Sequence, residues 1–359
     1  MDKKIRVIVN GVGFGQFYLR ALENLKEEYE LVGILSRGSE WSKKCACKYG
    51  VPLYTDIDEI TKDMVDLVCV VVKSTVVGGA GSNIVERILE KGINVIQEHP
   101  VHQDDYIKFI KIAQKNNCSY RLNTFYPDLI NVSRYIKLSN GLKKHCNIKC
   151  INAECSVHVL FPMIDILGRV IGKLRPWRFE KIENTIISSP FSMIQGYIGE
   201  VPICINIQNQ FEPEDPENSI LLFHRIVTYT ECGNLIMTGT NNNIIWEPSM
   251  NKQLSKDGFF HAEEEKNKFL DLLVYEMDNT AEGKTLREMY LEIWPDSIRR
   301  FMKRFYYDFI NGNKNNKEVQ FLLGACQVWK DLGQCIGATE MIEKYKKVPL
   351  TLKDLNIKE

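Results

Sequence analysis

The chain has no apolar run of the eighteen or so residues that a membrane span needs, so no transmembrane helix is expected. It has no net charge: 46 Lys and Arg balance 46 Asp and Glu over 359 residues. That balance removes any overall field that would draw in nucleic acid or a lipid surface. No basic-aromatic pattern supplies a local one, so neither partner is expected. The 11 cysteines never fall in C-x-x-C spacing, and Cys45 and Cys47 stand too close together for an ordinary metal pair. Without that spacing, an H-E-x-x-H or a Cys/His cluster, no metal is expected. The absence of G-x-S-x-G argues against a hydrolase built on a nucleophile elbow. No leader is read either, because MDKKIRVIVNG runs straight into an apolar strand. An odd cysteine count in such a chain fits reduced thiols in the cytoplasm.

What is present starts at Ile5. Ile5, Val7, Ile8 and Val9 read as a buried strand, Gly11, Gly13 and Gly15 as a tight turn, and Gln16 as the opening of a helix packed through Phe17, Leu19, Ala21 and Leu22. Strand, glycine turn and helix form the setting in which backbone amides approach a pyrophosphate. The usual spacing is G-x-G-x-x-G; here the third glycine comes one residue early, Phe14 sits inside the turn and Gln16 takes the usual glycine position. The bland alternative is a strand-to-helix turn with no ligand.

Alternation continues through the first third of the chain. Strands are read at Tyr29–Leu35, Val51–Tyr54, Val65–Val72, Asn94–Gln97 and Cys118–Thr124, with helices at Trp41–Tyr49, Asn83–Glu90 and Asp104–Asn116. This pattern means βαβ units and a parallel sheet, with a boundary near residues 122–128. Next come a helix at Asp128–Ser139 and strand-like runs at Ile148–His158, Arg178–Ile187, Met193–Ile198, Val201–Phe211, Ser219–Thr230 and Asn234–Asn241. Glu231 to Asn234 reads as a hairpin turn. Helices return at His261–Met277, at Leu286–Asn311 with a break near Pro295, and at Asn316–Cys335. The fold class expected is α/β: an N-terminal Rossmann domain over residues 1–124, then an α+β domain with a mostly antiparallel open sheet over residues 125–359.

Ligands in open parallel sheets bind at the carboxyl ends of the strands. The second strand ends in Ser36, Arg37 and Ser39 in place of the acid that holds the ribose hydroxyls of NAD. Arg37 and the serines suit a 2′-phosphate, which favours NADP(H); otherwise Arg37 is an exposed loop residue. Ser74 and Thr75 would lie beside the cofactor ribose and diphosphate, or cap the next helix. Glu98-His99-Pro100 places a histidine at a strand end, where it can exchange a proton near neutral pH. Tyr126 lies beyond the next strand and reaches the same space. Either is a candidate proton donor. His158 reads as a core histidine, Asp165 as a capping or orienting acid, and His102, His145, His224 and His261 as surface or packing residues.

The layout resembles the glucose-fructose oxidoreductase and inositol dehydrogenase (Gfo/Idh/MocA) family. That family has Glu-Lys-Pro where this chain has Glu98-His99-Pro100, and a His-x-x-Asp pair of which only Asp165 is matched, with Pro162 at the histidine position. Within the family, GFGQFYLRAL (13–22), KSTVVGGAGS (73–82), QEHPVH (97–102), NTFYPDL (123–129) and PMIDILGRVIG (162–172) are similar to the thiazolinyl imine reductases of siderophore assembly. The resemblance implies NADPH-dependent reduction of a thiazoline to a thiazolidine while the substrate is tethered to a peptidyl carrier domain of a nonribosomal peptide synthetase. It assigns His99 and Tyr126 as proton donors; the strand-end reading itself puts the glycine turn, Ser36, Arg37, Ser39, Ser74, Thr75 and Glu98 around the cofactor. A sugar or polyol dehydrogenase and a non-catalytic nucleotide sensor are the competing readings. An extended sheet face in the second part suits a homodimer.

Overall fold

The computed structural model describes residues 4–72, 80–183, 189–251, 258, 268–278, 283–343 and 346–355. Its first sheet is built from β1 (Ile5–Asn10), β2 (Tyr29–Leu35), β3 (Leu53–Tyr54), β4 (Leu67–Val70), β5 (Asn94–Glu98) and β6 (Tyr120–Asn123). Among the described residues the strand order is β3-β2-β1-β4-β5-β6. Every pairing is parallel. Helices α1 (Gly15–Glu23), α2 (Glu40–Tyr49), α3 (Ala80–Glu90) and α4 (Gln103–Lys115) make the crossovers. All four residues of β4 are buried, as a central strand covered on both faces requires. The order reverses between β1 and β4, and that reversal opens a crevice at the strand ends.

Helix α5 (Ile130–Leu142) leads into a second sheet of β7 (Ile148–Ser156), β8 (Trp177–Ile182), β9 (Phe191–Ile198), β10 (Val201–Gln208), β12 (His224–Thr230), β13 (Gly233–Met237), β14 (Ile244–Pro248) and β15 (Glu276–Asp278). A short strand β11 (Gln210–Phe211) pairs instead with β16 (Glu340–Met341). The described order of the large sheet is β15-β14-β13-β12-β7-β10-β9-β8. It is antiparallel except where β7 meets β10. The hairpin read at Glu231–Asn234 joins β12 to β13.

Three readings are corrected. A helix, α6 (Leu160–Ile171), lies where no helix was expected, and ten of its residues are buried. The run is short and mostly apolar, and a short apolar run does not by itself distinguish a helix from a buried strand. The expected helix at His261–Met277 is not borne out anywhere in its described part: residues 268–275 are turns and bends and Glu276–Asp278 forms β15 on the sheet edge, while residues 261–267 lie outside the described residues. The run Ser219–Thr230 is shortened, because Pro216–Ser219 is a 3-10 turn and the strand starts at His224.

The C-terminal helices return to the first sheet. α7 (Leu286–Glu288) passes through a π-turn at Met289–Ile293 into α8 (Trp294–Ile310), so the break stands beside Pro295. α9 (Asn316–Ile336) follows. Tyr29 donates to the Met302 carbonyl at 2.8 Å and Tyr106 to that of Val319 at 3.4 Å, which ties α8 and α9 to β2 and α4. Among the described residues, no helix is long and apolar enough to cross a membrane.

Candidate functional site: strand ends, glycine turn and a histidine–tyrosine pair

The end of β1 is shaped for close approach. Gly11 has φ +89°, and a Cβ there would meet Val72 Cγ2 at 3.0 Å and the Val71 carbonyl at 3.1 Å. Gly13 has nothing within 4 Å of the same position, so its surface is open. A Cβ on Gly15 would press on Val9 at 3.2 Å, so glycine lets α1 lie close to the sheet. α1 begins with neither a side-chain cap nor an acid in its first turn. The Gln16 and Phe17 amides donate within the turn, to the Gly13 and Phe14 carbonyls at 3.4 and 3.0 Å, so what the helix start offers an anion is the positive end of its dipole. The Gln16 side chain donates to the Gly13 carbonyl at 3.0 Å and braces the turn. Asn10 donates to the Leu35 carbonyl at 3.1 Å while its buried Oδ1 has no partner. An open glycine and an uncapped helix start fit a dinucleotide's diphosphate; the orphaned Asn10 acceptor calls for a donor instead, such as a hydroxyl.

At the end of β2 the three candidates separate. The Ser36 amide donates to the Tyr54 carbonyl at 3.0 Å. Ser39 Oγ accepts from the Ser42 amide at 3.2 Å and caps α2. Arg37 is exposed. Trp41, absent from the sequence reading, donates to the Val12 carbonyl at 3.3 Å and leaves its indole 53% exposed beside the glycine turn. Ser74 and Thr75 lie outside the described residues.

The ends of β5 and β6 meet at Asn123, which is fully buried. Its carbonyl accepts from the His99 amide at 3.1 Å and faces His99 Nδ1 at 3.2 Å. Its Nδ2 donates to Tyr18 Oη at 2.7 Å and to Glu98 Oε2 at 3.2 Å. Tyr18 in turn donates to Glu98 Oε2. Glu98 Oε1 lies 2.9 Å from His99 Nδ1 yet is a buried atom with no hydrogen bond. The two observations agree if the imidazole hydrogen points along the better-aligned direction, to Asn123. That assignment leaves Nε2 as the ring atom free for proton exchange. Neither Tyr18 nor Asn123 was singled out from sequence as supporting Glu98; the signal was a tyrosine on the buried face of α1.

Asn123 also builds the turn that aims Tyr126. Its Oδ1 accepts from the Phe125 amide at 2.9 Å. Phe125 adopts φ 61°, ψ −61°, and the Tyr126 amide donates to the Thr124 carbonyl at 2.7 Å. This is a γ-turn of the rare, strained hand, whose cost is on the order of 1–3 kcal/mol. Ser297 Oγ secures it by donating to the Phe125 carbonyl at 2.7 Å. The Phe125 ring is buried against Phe14 (centroids 5.2 Å) and Trp294 (5.3 Å), and Phe14 and Phe17 also contact Trp294.

His99 and Tyr126 are brought together, with ring centroids 5.8 Å apart, edge to face. His99 also stacks on Phe161 of α6 at 6.2 Å. The Tyr126 phenol makes no hydrogen bond among the described residues. Burial first, then the charges of Glu98, Glu217 and Tyr290, push its pKa up, so it stays a neutral O–H donor. His224 stands edge-on to Tyr126 at 4.8 Å. It is a packing residue, as expected, but it packs in the site. Its Nε2 donates to the Val159 carbonyl at 2.9 Å and its Nδ1 pairs with Thr240 Oγ1 at 3.0 Å. Burial lowers its pKa to about 4, so it is neutral beside the pair.

Asp165 is fully buried but is not a free acid. It accepts from Thr124 Oγ1 and from Arg169 Nε, each at 2.5 Å. Arg169 also reaches Glu318. Asp165 therefore orients the residue after β6. His158 is half-buried, with Nδ1 2.9 Å from Ser156 Oγ.

The described geometry is that of a nicotinamide-dependent oxidoreductase on a Rossmann fold. Residues 5–124 match the model of the oxidoreductase family with an NAD-binding Rossmann fold, GFO_IDH_MocA. Residues 147–247 match that of the thiazolinyl imine reductase Irp3-like C-terminal domain. Residues 5–124 are thus similar to the NAD-binding oxidoreductases of the Gfo/Idh/MocA family, and residues 147–247 to the Irp3-like C-terminal domain. No curated protein matches the chain. Similar solved structures include the WlbA dehydrogenase of Bordetella pertussis in complex with NADH and UDP-GlcNAcA (TM-score 0.66, 11% identity, covering 94% of this chain and 96% of that one). The dehydrogenase MviM of Clostridium difficile (0.64, 12%, 92% and 99%) and the oxidoreductase TM0312 of Thermotoga maritima (0.64, 14%, 93% and 96%) share the same fold.

Proposed function

We propose that the protein reduces the C=N bond of a thiazoline held on a peptidyl carrier domain, with NADPH as the reductant. The observation that carries this reading is the His99–Tyr126 pair at the ends of β5 and β6, in a chain whose residues 147–247 match the Irp3-like domain. Residues 1–124 would hold the cofactor, and residues 125–359 the substrate and a homodimer contact. The glycine turn and the start of α1 would take the diphosphate, Arg37 the 2′-phosphate, and Trp41 would flank the adenosine end.

When bound, the reduced nicotinamide supplies a hydride. The chain's task is to orient the substrate and to deliver a proton to the ring nitrogen. The Nδ1 contact to Asn123 fixes the His99 ring and leaves Nε2 to carry that proton, while Tyr126 presents an O–H donor beside it. Asp165 is engaged by Thr124 and Arg169, which speaks against its use as an acid on a sugar. Incubation with a carrier-bound thiazoline and NADPH is expected to add two hydrogens to the tethered intermediate, read by mass spectrometry. Turnover of free sugars or polyols in its place would replace this reading with a polyol dehydrogenase.

A further inference from the structure

The short strand β16 belongs to the last segment of the chain, yet its partner β11 opens the connection that runs from β10 to β12. That connection leads to two rings that flank Tyr126. The Phe223 ring stands 6.2 Å from Tyr126 and 6.4 Å from Trp294, and His224 stands 4.8 Å from Tyr126. Phe223 is half-buried. Residues 209–223 therefore carry part of the wall around the proton donor.

The connection has two anchors. The inner one is Gln208, fully buried at the end of β10. Its Nε2 donates to the Ser219 carbonyl at 2.8 Å, and its Oε1 accepts from the Leu221 amide at 2.9 Å. The outer one is the chain beyond α9. Asn209 Nδ2 donates to the Ala338 carbonyl at 2.9 Å, and the Glu340 amide donates to the Asn209 carbonyl at 3.0 Å. The Ile342 amide donates to the Phe211 carbonyl at 3.1 Å, and Gln210 Nε2 to Glu340 Oε2 at 2.8 Å. Lys181 Nζ reaches the Ile336 carbonyl at 3.1 Å and fixes the point where this segment leaves α9.

The β11–β16 ladder is two residues long and stands apart from the large sheet. Met341 is 74% exposed, so hydrogen bonds rather than a buried core hold the ladder. A unit with few buried contacts and exposed backbone bonds opens more readily than the sheet beside it. We propose that residues 338–342 are a strap that positions the wall beside Tyr126 and so sets how tightly the substrate is held. The strap acts through Asn209 and Phe211. With it in place the connection is fixed at both ends; without it the span hangs from Gln208 alone. The cofactor's glycine turn lies on the first sheet, so the strap's effect falls on substrate affinity and leaves cofactor affinity alone. The effect on substrate affinity rests on the reductase reading; the effect on backbone protection stands without it.

The test combines hydrogen–deuterium exchange and steady-state kinetics on the full chain and three variants. Glu340→Pro and Ile342→Pro each remove one amide donor to β11, while Glu340→Ala keeps the amide and loses only the exposed contact to Gln210. In both proline variants, peptides covering residues 209–224 are expected to lose protection while those of β1 and β4 keep theirs. KM for the carrier-bound thiazoline is expected to rise about five-fold, the scale of one lost hydrogen bond, with kcat and the NADPH dissociation constant within about two-fold of the unaltered chain. Glu340→Ala should move KM less than Glu340→Pro. Unchanged protection over 209–224 in both proline variants overturns the strap. Lost protection with KM unmoved overturns its part in holding substrate. Should the unaltered chain turn over a sugar or polyol instead, the reductase reading falls, and the same comparison of KM is made on that substrate.

Discussion

The phenol of Tyr18 donates to Oε2 of Glu98 over 2.5 Å and so joins the buried face of α1 to the end of β5. Asn123 supplies the second donor to the same oxygen. Removing one partner of a buried polar group costs about 1–3 kcal/mol, more when the group is charged. Tyr18→Phe is therefore expected to lower the urea midpoint without changing the slope. An unaltered midpoint would mean that Glu98 draws nothing from α1.

His99 and Tyr126 share one space but not one chemistry. Tyr126→Phe keeps the ring that packs on His224 and Phe125 and loses only the hydroxyl. It should reduce turnover roughly ten- to hundred-fold, within the range of general acid–base contributions, with cofactor affinity near wild type. His99→Ala should do the same or more. Full activity in both variants would send the search for the proton to water. Because burial holds the Tyr126 phenol neutral, no alkaline loss of activity traceable to this residue is expected up to pH 9; a pH–rate profile of Tyr126→Phe set against wild type checks this.

Arg37 is exposed at the end of β2, while Ser39 is committed to capping α2. Arg37→Ala is expected to weaken NADPH binding at least ten-fold and NADH binding little, measured by fluorescence titration. A charge-assisted contact to phosphate is worth about 1.5–3 kcal/mol. Equal losses for the two cofactors would remove the phosphate role.

His224 is buried neutral, its pKa lowered to about 4 by burial. The unfolded imidazole takes its proton near 6.5. Between these two values the unfolded chain binds more protons, so stability rises with pH across that window and is complete above it. The contribution lost on acidification to pH 4 is on the order of 3 kcal/mol. His224→Gln should flatten this part of the stability–pH curve from denaturant melts at pH 4.5 to 7.5. An unchanged slope would place the acid sensitivity in other groups.

Asp165 has no exposed surface and anchors both Thr124 and Arg169. Breaking a fully buried ion pair from one side costs about 3–5 kcal/mol; Arg169 is partly exposed and keeps Glu318 as a partner, so that range is the upper bound here. Asp165→Ala should therefore lose stability up to that bound, while Asp165→Asn, which keeps the acceptor for Thr124, should lose less. Similar unfolding midpoints for both variants would leave the Thr124 contact without weight.

Much of the first sheet could be read in the residues because each signal was local. The apolar run through β4 is wholly buried, and Gly50 and Gly92 close their helices with positive φ. His99 and Tyr126 were placed by a rule about strand ends, which needs no knowledge of contacts. Asn123 was not seen as the centre of the site, because its role depends on Tyr18 and Glu98, distant in sequence and brought to it only by the pairing of β5 with β6 and the packing of α1 on the sheet. His224 looked unpartnered for the same reason. Its inward position follows from alternation along β12, where His224, Ile226 and Thr228 are all buried, but only pairing with β7 shows which face is inward. α6 was lost because its one-sided pattern rests on only two charged residues, Asp165 and Arg169, in a short and mostly apolar run.

Trp294 presses on Phe14, Phe17 and Phe125 at once, and thereby makes a late segment of the polypeptide part of the floor beneath the first glycines. A fragment ending near residue 124 would lack Phe125 and bare Phe14 and Phe17 to water, so the amino-terminal piece alone is expected to hold its glycine turn less well. Any chimera that transplants this module must bring α8 along with it.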